Sequence, residues 1–263
     1  MEAIIRLGAS LGIFFIMISW EYFRPRRKLH YTRLKRWPIN LGLAAVNIAV
    51  IRLTVGAIAY QAAVSASGQS WGLLNLLDTP NWVSIIVTLL FLDFAIYLQH
   101  IVFHKWKFLW RLHQVHHTDL DFDASTAVRF HPLEIMISMV YKVFFIYLIG
   151  ADPAAVIAFE IILNGCATFN HSNVYIPHSI DKKLRWILIT PDMHRIHQSV
   201  IPSETDSNYG FSVSCWDRIC RTYTKNPKKS QTTMDIGLTP FRQQNKLGFG
   251  QLLLLPFKAL RGR

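Results

Sequence analysis

The sequence predicts an all-α fold, a multi-pass membrane bundle of about five spans with a cytoplasmic helical cap that holds a cluster of histidines. Three observations predict it. Apolar residues make up 51% of the 263 residues and charged residues only 17%, whereas a soluble domain carries about 25% charged residues. Five apolar runs are each long enough to cross a bilayer. Most of the histidines lie at the same predicted end of these runs.

The first apolar run, residues 3–20, is long enough to span a bilayer. A cleaved signal peptide is the alternative, but no small-residue cleavage site follows the run. A basic block from Arg24 to Arg36 comes next, and basic residues favour the cytoplasmic side of a membrane. We therefore expect the N-terminus outside and the C-terminus inside.

The second and third runs form the next crossing pair. The second, residues 39–66, carries Arg52 near its middle, where a charge needs a partner or a path for water. The loop that follows contains no lysine or arginine, as expected of an external loop. The third run, residues 82–98, returns the chain and ends beside His100 and His104.

The fourth and fifth runs form a hairpin around a turn at residues 150–153. Lys142 and Glu160 are equally distant from residue 151, so antiparallel arms would place both at one depth. A charge near the bilayer centre costs roughly 3 kcal/mol or more, so we expect the two to pair or to line a polar cavity. For the same reason we expect Asp93, in the third run, to face the bundle.

The remainder of the chain is mixed and basic, without another convincing span. Residues 252–260 are apolar but too short to cross, which favours a position in the membrane interface. The net charge of +12 is typical of cytoplasmic flanks that contact anionic lipid. Nucleic-acid binding fits less well, because the basic residues flank apolar runs and no nucleic-acid module is present. We expect one membrane domain, residues 1–263.

Five of the eleven histidines lie between Gln99 and His117. Two of them are four residues apart and three follow at i, i+3 and i+4, so each set shares one face of a helix. Four more occur before the fourth run, after the fifth run and in the tail. The nine histidines expected near the cytoplasmic surface are His100, His104, His113, His116, His117, His131, His171, His194 and His197.

Nine histidines at helical spacings predict a metal site, since imidazole is a common ligand of transition metals. Eight or so ligands exceed what one tetrahedral metal needs, which indicates two metals. Coordination by nitrogen alone suits iron or another redox metal as well as zinc, so spacing does not choose between them. His30 and His178 belong to no cluster, and the three cysteines favour packing over metal binding.

Seven motifs follow one another in order: HIVFH, HQVHH, RFHPLE, NHSN, HRIHQS, ETDSNYGF and WDRI. Together they resemble the fatty acid hydroxylase/sterol desaturase superfamily of integral-membrane di-iron enzymes. The resemblance covers about residues 80–225, the implied catalytic region, and implies that the nine histidines bind two iron ions. The last box ends in Gln198, where many members have histidine. One ligand of the expected set is therefore missing, or is replaced by His131 or His171.

The resemblance implies an oxidoreductase that hydroxylates or desaturates a membrane lipid with O2 and electrons from a separate carrier protein. Sterols, fatty acyl chains, sphingolipids, carotenoids and alkylglycerols stay open as substrates. The alternatives are a non-oxidative metal-dependent membrane lipid enzyme, a metal transporter and a haem protein. Asp119 and Asp121 stay open between orienting a ligand and being solvated loop residues. The residues expected to surround the ligands and orient them are Asp93, Asp123, Glu134, Asn173 and Gln198.

Overall fold

The computed structural model describes residues 2–54, 58–77 and 79–258. These ranges contain α-helices, short 3-10 turns and three isolated β-bridges, and no β-sheet forms within them. The predicted all-α class is confirmed. In chain order the α-helices are α1 (Glu2–Phe23), α2 (Arg33–Thr54), α3 (Ile58–Gly68), α4 (Leu73–Leu76), α5 (Asn81–Lys105), α6 (Lys107–His117), α7 (Pro132–Ile149), α8 (Pro153–Asn170), α9 (His178–Leu184), α10 (Pro191–His197), α11 (Pro202–Thr205), α12 (Cys215–Ile219) and α13 (Phe249–Leu254).

Within the described residues, five stretches are long and apolar enough to cross a membrane, in agreement with the five predicted spans. The second includes residues 55–57, which lie outside the described residues. Arg52, expected to have a partner or a path for water, is exposed near the end of α2 and has no partner among the described residues. The five stretches are Ile4–Phe23, Arg33–Leu76, Asn81–Lys105, Pro132–Ile149 and Pro153–Asn170.

In the hairpin of α7 and α8, a glycine ends the first helix and an aspartate caps the start of the second. Gly150 ends α7 with a positive φ of 70°, and a Cβ there would lie 2.7 Å from the Trp71 carbonyl oxygen. Asp152 caps α8 by accepting a hydrogen bond from the Ala155 backbone at 2.8 Å. Apolar side chains of α3, α5, α7 and α8 form the core between the spans.

Glu160 and Asp93, two acidic residues inside the bundle, both have partners. Lys142 donates to Glu160 at 2.9 Å, which confirms the predicted contact across the hairpin. Arg6 of α1 also donates to Glu160, so three helices meet at one carboxylate. Asp93 faces the bundle, as predicted, and accepts from the Trp216 indole at 2.8 Å.

A buried ionic network joins the start of α2 to the segment after α6. The Arg36 guanidinium donates to Asp119 at 2.8 Å and to Asp123 at 2.6 Å. Burial by itself would raise the pKa of Asp119, but Arg36 and Arg129 outweigh it and hold that pKa below its usual range. Asp119 is therefore a structural anion inside the protein, and not a solvated loop residue.

The apolar tail does not lie free at a surface. Leu252 and Leu255 are buried against Leu43 of α2 and Val115 of α6, whereas Phe257 is exposed. The expected interfacial run thus packs largely on the protein, and its last residues, 259–260, lie outside the described residues.

Candidate metal centre

Eight buried histidines converge in two groups at one end of the bundle. In each group, every residue offers one ring nitrogen that lies within 4.8 Å of the others. These histidines come from α5, α6 and α10 and from the C-terminal end of α8. The five-histidine group is His100, His104, His113, His117 and His197, and the three-histidine group is His116, His171 and His194.

Helix geometry divides the ligands between the groups. At about 100° per residue, His113 and His117 of α6 point in nearly the same direction and join the five-histidine group, whereas His116 is rotated away from His117 and joins the other. On α10, His194 and His197 divide in the same way. Their ring centroids are 5.0 Å apart, so the two groups are neighbours.

Backbone carbonyls fix the orientation of three imidazoles. The Nδ1 atoms of His100, His197 and His171 each lie 2.7 Å from a carbonyl oxygen, those of Tyr209, Ser207 and Ala167 respectively. A carbonyl only accepts hydrogen bonds, so these Nδ1 atoms carry the proton. The Nε2 atom of each neutral ring is then an unprotonated lone-pair donor, the form in which histidine binds metal.

The inward nitrogens are arranged for a cation. His171 Nε2 lies 3.1 Å from His116 Nε2 and 3.0 Å from His194 Nε2. Burial lowers the pKa of His171 to about 4 and that of His116 and His194 well below the usual value, so the rings are neutral at pH 7. One lone pair on His171 cannot satisfy two neighbouring nitrogens, whereas a metal ion that accepts a lone pair from each would satisfy all three.

The ring nitrogens of the five-histidine group are also arranged for a metal cation. His100 Nε2 and His113 Nε2 are 3.1 Å apart. Neither ring nitrogen of buried His117, nor Nε2 of His197, has a hydrogen-bond partner among the described residues. Buried polar atoms are almost always satisfied, so these nitrogens fit a metal ion.

Gln198 lies at the three-histidine group, as expected from its place in the last histidine box. Its side-chain amide nitrogen is 2.6 Å from His116 Nε2, and its amide oxygen has no partner among the described residues. The two amide atoms can exchange by a flip of the side chain. The residue is fully buried, so its amide oxygen is available as a fourth, weak ligand.

His131 requires a correction, because the structure brings it to neither group. Its Nδ1 accepts from the Leu133 backbone at 3.2 Å as the N-cap of α7, and its Nε2 lies 3.1 Å from the Leu253 carbonyl oxygen. Both ring nitrogens are thus used in structural contacts. Its position before α7 therefore reflects helix capping. Of the two histidines that lie in sequence between the second and the last histidine box, only His171 joins a group, the three-histidine group.

Glu134 contacts one of the converging histidines. Its carboxylate lies 2.6 Å from Nδ1 of His113, and both residues are buried. Burial lowers the pKa of His113 to about 3, so its ring is neutral. The contact uses Nδ1, and Nε2 is therefore the nitrogen that faces the other histidines.

Three other residues expected beside the ligands contact no histidine among the described residues. Asp123 binds Arg36 and caps the turn at residues 124–128. Asn173 donates to the Arg27 carbonyl at 2.8 Å. Asp93 binds Trp216 because it lies two turns deeper in α5 than the histidines. These expectations are corrected: the three residues hold the segments that carry the ligands.

Asp217, which the sequence analysis did not single out, positions His100 indirectly through the backbone carbonyl of Tyr209. Asp217 accepts hydrogen bonds from the backbone of Tyr209 at 2.8 Å and of Gly210 at 3.0 Å. It thereby fixes the turn whose Tyr209 carbonyl binds His100. The WDRI motif was the available signal, since it contains Asp217. The carbonyl contacts themselves have no signal in the sequence.

We predict that loss of the Glu134 carboxylate weakens metal binding. Glu134→Leu removes the acceptor of the His113 proton, and loss of such an outer partner costs about 10–100-fold in metal affinity or activity. Glu134→Gln keeps an acceptor oxygen and should lose less. Metal affinity measured by competition with a chelator checks the order, and equal affinities for the native chain and Glu134→Leu would contradict it.

An apolar cleft lies beside the five-histidine group, between α5, α6 and α7. It has a volume of about 400 Å³. Phe103 forms part of its wall, with its ring centroid 5.9 Å from that of His113. Trp106 and Phe108 are exposed at its rim. The lining residues are Gln99, Val102, Phe103, Trp106, Phe108, Leu109, Ile137 and Tyr141.

Comparison with known proteins identifies relatives that act on lipids. The chain is 28% identical over 160 residues to the ornithine lipid hydroxylase OlsE of Rhizobium tropici, an alignment that covers 61% of this chain and 47% of that protein. It is 31% identical over 164 residues to the alkylglycerol monooxygenase of Homo sapiens, covering 61% and 35%. The chain thus spans half or less of the length of these relatives.

No solved structure matches the chain. The sequence profile of the fatty acid hydroxylase family matches residues 85–222, more than half of the chain. This range contains all eight converging histidines together with Glu134 and Asp217. The chain belongs to the fatty acid hydroxylase family.

Proposed function

We propose that this protein is a di-iron, O2-dependent hydroxylase of a membrane lipid. The observation that carries the proposal is the convergence of eight buried imidazoles in two adjacent groups beside an apolar cleft. Membership of the fatty acid hydroxylase family supports it, and so do the relatives, which are named as a hydroxylase and a monooxygenase.

Iron fits the site better than a metal that acts without redox chemistry. Zinc in catalytic sites usually has three protein ligands and an open position, a number that the three-histidine group matches and the five-histidine group exceeds. A redox metal is favoured by the family and by relatives named as a hydroxylase and a monooxygenase. Bound iron would supply the activation of O2, which converts a lipid C–H bond to an alcohol while the second oxygen atom leaves as water, with two electrons and two protons from outside. The non-oxidative alternative has no comparable support.

The protein's own residues position the reactants. The histidines hold the metals, while Glu134 and the carbonyl of Tyr209 orient two of the rings. All eight histidines are buried, which excludes bulk water from the site. The apolar cleft would bind the hydrocarbon part of the lipid, with its exposed rim towards the bilayer. We include Gln198 among the proposed ligands of the second metal, which the three-histidine group would hold.

The proposed placement puts the site on the cytoplasmic face, with the N-terminus outside. The basic block after α1 lies at the ligand end of the bundle, since Arg26 of this block donates to Asp192 of α10 at 2.9 Å. Basic residues favour the cytoplasm, where a separate electron-transfer protein can reach the metals. We further propose one membrane domain, residues 1–263, with residues 80–225 as its catalytic region.

Isotope labelling tests the function. Cells that express the chain are grown under ¹⁸O₂, and their lipids are compared by mass spectrometry with those of cells carrying the double variant His116→Ala/His117→Ala. We expect one oxygen-18 atom in a lipid that appears with the native chain and with the control His178→Ala, but not with the double variant. A lipid that loses two hydrogens without gaining oxygen-18 would indicate desaturation, and any other lipid change without oxygen-18 would favour the non-oxidative enzyme.

Filling the cleft is predicted to hinder the substrate without disturbing the metals. Ile137→Trp places a large ring in the cleft, and we expect at least a tenfold loss of kcat/KM with unchanged iron content. Val140→Trp, one turn away on α7 and 67% exposed, is the matched control and should keep near-native activity. Equal activity of the two variants would exclude the cleft as the substrate site.

A further inference from the structure

Two segments that follow the spans pair with each other and form a wedge, residues 184–189 with residues 211–219. The Ile189 backbone donates to the Ser212 carbonyl at 3.0 Å, and the Ser214 backbone donates to the Ile187 carbonyl at 3.0 Å. Leu188 and Val213 form a β-bridge between them. The wedge is therefore one body, and the depth of one segment fixes the depth of the other.

The wedge reaches the middle of a membrane-spanning helix. Trp216 donates to Asp93 at 2.8 Å, and its ring centroid is 4.8 Å from that of Phe94. Asp93 lies twelve residues from each end of α5 (Asn81–Lys105), which is about 18 Å at 1.5 Å per residue. Phe211 packs against the core cluster between the spans. The wedge thus descends well below the level of the histidine ligands.

The outer face of the wedge is apolar. Trp186, Ile187 and Ile219 are 67%, 66% and 68% exposed, although each is a large hydrophobic residue. Trp186 and Ile187 are neighbours in sequence and Ile219 lies on the paired segment. The wedge thus exposes three large apolar side chains, which is unfavourable in water. At the depth of Asp93 they would instead contact lipid hydrocarbon, and the transfer would be favourable.

The charged residues of the wedge agree with this position. The Arg218 guanidinium lies over the rings of Trp186 and Tyr223, at 4.4 and 4.1 Å, and donates to the Arg185 carbonyl at 2.8 Å. Its charge is therefore covered by aromatic rings and a backbone acceptor. Exposed Lys182 and Lys183 belong to α9, directly before the wedge, as expected of residues that contact lipid head groups.

We propose that residues 184–189 and 211–219 are inserted in the lipid leaflet on the ligand side of the membrane, with Trp186, Ile187 and Ile219 in contact with hydrocarbon. The partner of this surface is the bilayer itself. Residues 184–219 are then partly embedded, although the sequence predicts a cytoplasmic cap after His171 with only residues 252–260 at the membrane interface. The insertion would anchor the turn that carries Tyr209 and Asp217 beside the site.

Nitroxide accessibility in lipid nanodiscs tests the insertion. Ile187→Cys and Ile219→Cys are labelled in a background with Cys166→Ala, Cys215→Ala and Cys220→Ala, and Lys229→Cys, at a residue whose side chain is 55% exposed, serves as the aqueous reference. We expect at least a threefold higher ratio of O2 to nickel-chelate collisions at positions 187 and 219 than at 229, because O2 partitions into hydrocarbon and the chelate does not.

Two outcomes would overturn the proposal. Nickel-chelate access at positions 187 and 219 equal to that at 229 would place the wedge in water. Shielding from both reagents would place it against another protein surface.

A second measurement keeps the native cysteines: quenching of tryptophan fluorescence by brominated lipids should decrease in Trp186→Phe relative to the native chain, and unchanged quenching would contradict insertion. Neither readout depends on catalysis, so the result is independent of the proposed function.

Discussion

Alanine at His194 is expected to reduce bound iron from two ions per chain to one, whereas alanine at His197 is expected to retain both. The two histidines lie on the same helix and are equally buried, yet they belong to different groups. Removal of His194 leaves its group with two imidazoles and the weak amide of Gln198. Removal of His197 leaves four imidazoles. We expect at least a hundredfold loss of hydroxylation in His194→Ala, and a smaller loss in His197→Ala.

Iron per chain, measured on purified protein by mass spectrometry of the metal, checks this difference. His178→Ala is the control for loss of a histidine, because His178 is exposed at the start of α9. Equal iron content in His194→Ala and His197→Ala would show that the two groups do not bind separate metals. The readout does not require a known substrate.

Histidine at position 198 is expected to have the opposite effect. Gln198→His replaces a weak amide ligand with imidazole at the three-histidine group, and imidazole binds first-row transition metals more tightly. We expect at least a tenfold slower loss of the second iron to a chelator, with the first unchanged. Gln198→Leu, which offers no ligand atom, should lose that iron faster than the native chain. Identical rates in all three proteins would exclude position 198 from the metal site.

Alanine at Arg36 is expected to have the largest effect on stability. Arg36 is fully buried and is the shared partner of Asp119 and Asp123. Its removal takes away the cation that the two buried carboxylates share and leaves only Arg129 near Asp119, and breaking a buried pair costs about 3–5 kcal/mol. Because Asp119 follows the last histidine of α6 by two residues, we also expect loss of iron.

Thermal unfolding in a fixed detergent, followed by circular dichroism, measures the effect. Lys35→Ala removes the same charge from an exposed neighbour and should leave the midpoint within the experimental error. Arg36→Lys keeps the charge but cannot form the forked contacts to both carboxylates, so its midpoint should lie between those of Arg36→Ala and the native chain. Native stability of Arg36→Ala would contradict a structural role for the network.

The local pattern of the sequence determines the fold class and most of the site. Apolar runs of spanning length predict the helices, and the distances of Lys142 and Glu160 from one turn predict their contact. The histidine spacings predict a shared site, because i+3 and i+4 residues lie on neighbouring parts of a helix face. These are properties of single helices or of one hairpin, so they can be derived without knowing how distant segments pack.

The tertiary structure decides which histidine ring nitrogens lie together in each group and which atoms they contact. The rotation of His116 away from His117 is a property of α6 alone, but the group that each ring joins, and the exclusion of His131, depend on how α6, α7 and α10 pack in the bundle. The acceptors of His100 and His197 are backbone carbonyls, which every residue has, so no residue type could indicate them. Asp93, next to the histidines in sequence, binds Trp216 because a segment more than a hundred residues later packs beside it. Ligand identity is thus encoded locally, whereas the division into two metal groups depends on long-range packing.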